Sequence, residues 1–182
     1  MDRAGAITLL RNHVKRENLL NHCIATGAIM HTVADRLGED PDRWELVGIL
    51  HDIDFEEIHE DMTRHGIRGE KILMGVGLDP WISAAVARHN YKIYGDREAP
   101  VDLALQAADN TSGLIISCAL VKGGALTAVT PDTIRKKFRE KSFAAGCQRE
   151  RVRMIEPLLP LPEFFETDLR AVQGIHEELG LH

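Results

Sequence analysis

The sequence predicts an all-α fold, a helical bundle, on three observations. No stretch alternates apolar and polar residues with Val, Ile and Tyr enrichment over strand length. Asp40-Pro41 and Asp79-Pro80 each set an N-capping carboxylate before a proline suited to a first helical turn. Apolar residues then recur at helical spacing, Trp44, Val47 and Leu50 after the first pair and Trp81, Ala84 and Ala85 after the second.

The elements follow in order. A first helix is expected over 4–14. A second, over 17–37, ends in HTVADRLG and carries Ala25, Ile29 and Val33 on one face. The third, 41–52, runs through the strongly apolar WELVGILHD, and the fourth, 66–75, through GIRGEKIL. A fifth, 80–90, closes on VARHN, and a sixth, 100–121, holds the apolar VDLALQAADNTSGLIISCAL. Helices over 131–140 and 146–155 flank the loop KSFAAG, and a last one, 162–179, packs on the rest. There is no repeat and no linker rich in Gly, Ser or Pro. The 182 residues therefore read as one domain, long enough to bury roughly two-thirds of the surface the unfolded chain exposes.

Composition excludes several function classes. The most apolar long segment, Pro100–Val121, is broken by Asp102, Gln106, Asp109 and Asn110, so no membrane span is expected. The N-terminal MDRAGAITLLRNHVKREN has no signal-peptide pattern. Three cysteines, Cys23, Cys118 and Cys147, show no CxxC spacing, which excludes a cysteine zinc site and fits a reduced, cytoplasmic chain. A net charge of −6 argues against a nucleic-acid polymer as partner. The charge is uneven: Asp35–Asp61 holds eleven acids, and Pro131–Arg153 holds eight basic residues. Solvated helix faces explain such runs; so does an acidic cation-binding part facing a basic anion-binding part.

Nine histidines is a high count, and position sorts them. His51-Asp52 ends a buried aliphatic run, and an unpartnered carboxylate there costs several kcal/mol, on the order of a lost ion pair. A divalent cation would satisfy both groups. On the dipeptide alone a helix C-terminus reads equally well, with His51 capping carbonyls and Asp52 opening a turn. His22 shares the apolar face of its helix, whereas His31, about 180° around, lies with Gly27 and Asp35 on a face that reads as solvent. Asp109 is a carboxylate in an otherwise apolar helix, and it calls for a cation in the same way. His13, His31, His59, His176 and His182 read as surface. Cys23 has no base at helical spacing and does not read as a nucleophile. Glu56 and Glu57 are open between proton acceptor and support to a ligand.

The order His22, His51-Asp52, Asp109, with 29 residues between the first two histidines, resembles the HD-domain superfamily of metal-dependent phosphohydrolases. The segments TVADRLG and GILHDID fit it. HDIDFEEIHEDMTRHG, VARHNY, AADNTSGLI and KKFREKSFAAGCQRE are similar to a group of bacterial predicted HD hydrolases, over about residues 16–155. The resemblance implies an α-helical bundle with a metal held by His22, His51, Asp52 and Asp109. Some members hold a second ion, bridged by the aspartate of the His-Asp pair, and His65 and His89 match its extra positions. Three features depart from the pattern. Asp54 stands where glycine commonly follows His-Asp-Ile, His89-Asn90 stands where two histidines are common, and the Gly-Tyr-Pro signature of cyclic-di-GMP phosphodiesterases is absent.

The resulting expectation is a cytoplasmic hydrolase of a small phosphate ester or anhydride, a nucleotide first among these, using one or two Fe, Mn, Zn, Ni or Mg ions to activate water, with His51 and Asp52 as catalytic residues. In KSFAAG, Ser142 can cap a helix whose amides meet an anion. Lys141 and Arg149 are the candidates to hold substrate phosphate, with Arg88 behind them, and Lys136 and Arg139 lie on the solvent face. The alternatives are a phosphodiesterase or dinucleoside polyphosphate hydrolase of the same superfamily, or a nucleotide-sensing module that does not cleave. An oligomer is compatible with all of them.

Overall fold

The computed structural model describes residues 1–182 as ten α-helices, with no strand. Their local causes are those of the sequence. The side chain of Asp2 caps α1 (Arg3–His13) by accepting from Gly5 N at 2.9 Å. α2 (Glu17–Leu37) stops at Gly38, whose φ of 74° suits a residue without Cβ. Asp40 caps α3 (Pro41–Leu50) and Asp79 caps α5 (Pro80–Arg88), each with proline in the first turn. α4 (Ile67–Gly75) and the single turn α6 (Tyr91–Tyr94) flank α5, and α7 (Pro100–Leu120) follows. Thr130 caps α8 (Pro131–Arg139), which buries Ile134 and Phe138, one turn apart. α9 (Arg149–Val152) is short, and α10 (Leu161–Gly174) closes the chain's helices.

Several boundaries differ from expectation for physical reasons. α3 ends at Leu50 rather than 52, so His51 and Asp52 sit in the turn that leaves it. α5 ends at Arg88, which makes His89 its C-cap. No helix starts at Ser142: residues 141–146 form turns, with Ala144 at φ 45°, and the segment after them has only α9 and a 3-10 turn at Arg153–Ile155. The last helix ends at Gly174 instead of 179. On α5 the buried residues are Ile82, Ser83, Ala85, Val86 and Ala87, while Trp81 is partly exposed under the Arg43 guanidinium, 4.5 Å from the ring centre.

The two 21-residue helices, α2 and α7, organise the core, with α3 and α10 packed on α2. Ile24, Ile29, Val47, Leu50, Leu105 and Phe164 are among its fully buried side chains. Gly27, assigned to a solvent face from the helical angle, lies instead at the closest approach of α2 and α3. A Cβ on Gly48 would stand 2.7 Å from Gly27 Cα, and one on Gly27 2.5 Å from Ile49 Cγ1. Two glycines let the backbones touch, and that contact sets His22 of α2 beside His51 just past α3.

One buried group has no partner. Both carboxylate oxygens of Asp168, on α10, are buried without a hydrogen bond, and burial pushes its pKa well above the carboxylate range. The folded state therefore binds a proton that the unfolded chain releases above its ordinary 3.8, so Asp168 lowers stability progressively as pH rises from about 4. Asp168→Asn removes that penalty without changing shape. Thermal unfolding should show equal midpoints near pH 3.5 and a gain for the variant at pH 7, worth about 2 kcal/mol or several degrees. A gap that does not change with pH would contradict this account.

Candidate metal centre

Five elements deliver six side chains to one point. α2 supplies His22, the turn after α3 supplies His51 and Asp52, the turn before α4 supplies His65, the end of α5 supplies His89, and the middle of α7 supplies Asp109. Asp52 stands between two histidine pairs. Its Oδ2 lies 3.5 Å from His51 Nε2 and 3.8 Å from His22 Nε2, and its Oδ1 lies 3.3 Å from His65 Nε2 and 3.5 Å from His89 Nε2. Asp109 Oδ1 joins the first pair, 3.2 Å from His22 Nε2 and 3.8 Å from His51 Nε2. Donor atoms of His22, His51 and Asp52, and of Asp52, His65 and His89, each fall within a sphere fit for one cation.

The outward ring nitrogens decide the protonation. His51 Nδ1 donates to Gly48 O at 2.7 Å, His89 Nδ1 to Val86 O, and His65 Nδ1 to Asp54 Oδ1 at 2.8 Å. His22 Nδ1 donates to Ser112 Oγ at 2.9 Å, and that hydroxyl donates to the Asp109 carbonyl. All four rings thus carry hydrogen on Nδ1 and turn Nε2 inward, the tautomer a metal ligand needs. His51 satisfies both readings of the dipeptide at once, since its Nδ1 caps the helix end while its Nε2 faces the site.

The inward atoms are crowded. His22 and His51 bring their Nε2 atoms to 3.2 Å, and His65 and His89 bring theirs to 2.8 Å. With every Nδ1 already donating, two facing lone pairs would repel, so each pair calls for a cation between its rings, a proton or a metal ion. Burial opposes the charged form at His51 and His65, but Asp52 with Asp109, and Asp52 with Asp54, outweigh it and raise each pKa to about 9. Burial and the neighbouring His65 and His51 hold His89 below its ordinary 6.5. Burial also works against the Asp52 and Asp109 carboxylates, yet the surrounding imidazoles keep both below the usual range.

A pH dependence follows. Metal competes with protons for His51 and His65, so affinity should rise with pH up to about 9 and level off above. The metal-free fold moves the other way, because stability from raised histidine pKa values is present below 6.5 and lost as pH climbs through about 9. Calorimetric titration with Mn²⁺ in buffers of different ionisation enthalpy should show net proton release near pH 7. Affinity independent of pH across this window would refute the arrangement.

Sequence reasoning missed several supporting residues. Asp54 is fully buried; its Oδ2 accepts from Gly66 N at 2.9 Å and Gly69 N at 2.7 Å while its Oδ1 holds His65. Its one visible signal was an acid where glycine commonly stands. Asn90 donates to the Met62 and His65 carbonyls, and Gln106 Nε2 donates to His89 O at 2.6 Å. Glu56 and Glu57 face away: Glu56 accepts from Lys15 N and Arg16 N, and Glu57 from Arg68 Nε. Cys23 is buried, its thiol pushed up by burial and by Asp52, and so stays protonated. His31 and His59 lie outside the cluster.

The basic segment requires a correction. The Arg149 guanidinium is folded into its own loop, donating to the carbonyls of Phe143 at 2.6 Å, Cys147 at 2.6 Å and Ala144 at 2.8 Å, with further contacts to Phe138, Glu140 and Lys137. Its donors stabilise the 137–147 turn and leave none for phosphate. Lys141 is exposed on that turn and lines neither cavity at the cluster, and Arg88 is held by Asp102.

Two cavities open on the cluster and meet at Asp109 and Asn110. One, of about 250 Å³, runs past His22 to Gly113, Ser117 and Cys147. The other, of about 290 Å³, passes Asp52, His65 and His89 to Phe55, Tyr91 and Lys92. No curated protein and no solved structure matches the chain. The HD-domain family profile matches residues 19–114, more than half the sequence and every one of the six converging side chains. A helical bundle that gathers these histidines and aspartates over that span belongs to the HD-domain family, within the superfamily of metal-dependent phosphohydrolases.

Proposed function

We propose that the chain hydrolyses a small phosphate ester or anhydride, a nucleotide first among these, at a centre of two divalent ions. The observation that carries this reading is the Asp52 carboxylate, with one oxygen turned to His22 and His51 and the other to His65 and His89. His22, His51, Asp52 and Asp109 would hold one ion, and Asp52, His65 and His89 the other. The nitrogen and oxygen donors suit Fe, Mn, Zn, Ni or Mg. Ions bound here supply Lewis acidity and acidify water, the chemistry phosphoester cleavage needs at neutral pH.

The rest of the site belongs to the chain itself. Asn110 accepts from Gln148 N at 2.8 Å and donates to Gln106 O, so the 147–149 segment is fixed as the wall between the cavities. Cys147 on that wall is kept a neutral thiol by burial and supplies no competing nucleophile. The cavities on either side of Asp109 give room for a phosphoryl group on one side and a leaving group on the other. No helix is long and apolar enough to cross a membrane, and the proposed setting is the cytoplasm, with a small phosphorylated partner and no nucleic-acid polymer.

The test is turnover of p-nitrophenyl phosphate, bis-p-nitrophenyl phosphate and a nucleotide panel by protein loaded with Mn, Co, Ni or Mg. Monoester or nucleotide hydrolysis, abolished by chelation, is the expected result. Cleavage of diesters alone would move the assignment to a phosphodiesterase. Nucleotide binding with no turnover under any metal would overturn it in favour of a sensing module.

A further inference from the structure

The six converging side chains would hold cations, and a phosphorylated substrate's own charge would still call for a cationic side chain from the protein. The basic residues near the site are already committed. Arg149 is spent on backbone carbonyls, Arg88 on Asp102, and Arg151 on Asp96 while it lies 3.5 Å from the centre of the Tyr91 ring. The cavity beside His22 has no cationic residue in its wall. Apart from its two histidines, the cavity beside His65 and His89 has one basic residue, Lys92, which is exposed and enters none of the chain's ion pairs.

The position of Lys92 is fixed from beneath. Asn90 is buried; its Oδ1 accepts from Lys92 N at 3.2 Å, and its Nδ2 donates to Met62 O at 2.8 Å and His65 O at 2.9 Å. One side chain thus ties the backbone of Lys92 to the segment that carries His65. Where a second histidine is common after His89, this chain has Asn90, and the place of that imidazole is taken by an anchor for the residue two positions on. Besides the side chains that would hold cations, Asp52, Asp109, His65 and His89, the wall around Lys92 is uncharged, with the Gln106, Asn110 and Gln148 carboxamides and the Phe55 and Tyr91 rings. An unpaired ammonium beside the Gln148 carboxamide, whose Nε2 donates to nothing else in the chain, fits a phosphate group.

We propose that Lys92 is the phosphate-positioning residue of this centre, seating a phosphate monoester or terminal phosphate in the cavity on the His65–His89 side. The assignment rests on the phosphohydrolase reading for its catalytic meaning, but binding tests it separately. Inorganic phosphate is titrated calorimetrically into Mn²⁺-loaded protein at fixed ionic strength, with metal content measured for each variant. Lys92→Ala should weaken phosphate binding about tenfold or more at unchanged metal content, and Lys92→Arg should stay within about threefold of the parent. Lys136→Ala, an exposed charge remote from the cavity, should leave binding unchanged. In p-nitrophenyl phosphate turnover, Lys92→Ala should raise KM more than it lowers kcat. Phosphate affinity that is undiminished in Lys92→Ala, or equally diminished in Lys136→Ala, overturns the proposal. Lys92-dependent phosphate binding by a protein that hydrolyses nothing would uphold this assignment while rejecting the hydrolase reading.

Discussion

Asp52→Ala should leave the purified protein with almost no bound metal and no phosphatase activity, because this one carboxylate faces both histidine pairs. Its loss would remove a donor from both of the proposed ion positions at once and leave His51 and His65 without the anion that raises their pKa values. Variants on either side should be partial in a way that locates them. His65→Ala is expected to lower metal content from about two ions per chain toward one, sparing the His22–His51–Asp109 side. His22→Ala should strip the ion on that side and with it the activity. His31→Ala, whose ring is partly exposed away from the cluster, is the matched control and should keep both metal and turnover. Elemental analysis reads all four proteins. Full metal content in Asp52→Ala or in His22→Ala would break the assignment of the site.

Asp54→Ala should be the most damaging substitution among residues that touch no metal. The Asp54 carboxylate is fully buried and holds three donors: the amides of Gly66 and Gly69 and the Nδ1 of His65. Removing it leaves two buried N–H groups unsatisfied and frees the His65 ring to rotate, at a cost of about 3–5 kcal/mol in stability. Metal affinity on the His65–His89 side should fall by about 10–100-fold through lost ligand orientation. Asp54→Asn keeps the shape but brings an amide NH₂ against N–H donors, so it should recover less than half of either loss. Asp54→Gly, the residue common at this place in the resemblance, should do no better than alanine, because here the start of α4 hangs on the carboxylate. Chemical denaturation and Mn²⁺ titration check the two effects separately. A native-like midpoint in Asp54→Ala would mean that water or a rearranged loop replaces the three bonds.

Asp54 also shows how far the sequence could be read. Helices were legible wherever a cap, a proline and apolar spacing agreed, as at Asp40-Pro41 and Asp79-Pro80, and α3 and α5 begin there. Their ends were harder. The apolar run continues through His51-Asp52, whereas the helix stops at Leu50, and only that stop releases Asp52 to face two directions. Histidines with matching positions in a family pattern, His22, His51, His65 and His89, converge with Asp52 and Asp109.

Residues that support the ligands had no such signature. Ser112, Asn90 and Gln106 are ordinary polar residues until a distant backbone or ring is brought to them. Gly27 was misplaced because helical angle alone cannot say which neighbour approaches, and only the α2–α3 contact shows that it admits no side chain. Arg149 failed as a phosphate ligand for a similar reason. A guanidinium in a basic run is free in sequence, but a tight turn with unpaired carbonyls takes up its donors first.

By itself, then, the sequence determined the helical class and the family, and it singled out the side chains that converge as candidate metal ligands, since capping, periodicity and ligand chemistry act locally or through residue type. The tertiary structure alone decided which oxygen of Asp52 faces which pair, what fixes each imidazole tautomer, and which basic residue remains uncommitted. Those depend on hydrogen bonds between segments up to 90 residues apart, as from His22 to Ser112, and no local pattern encodes such pairing.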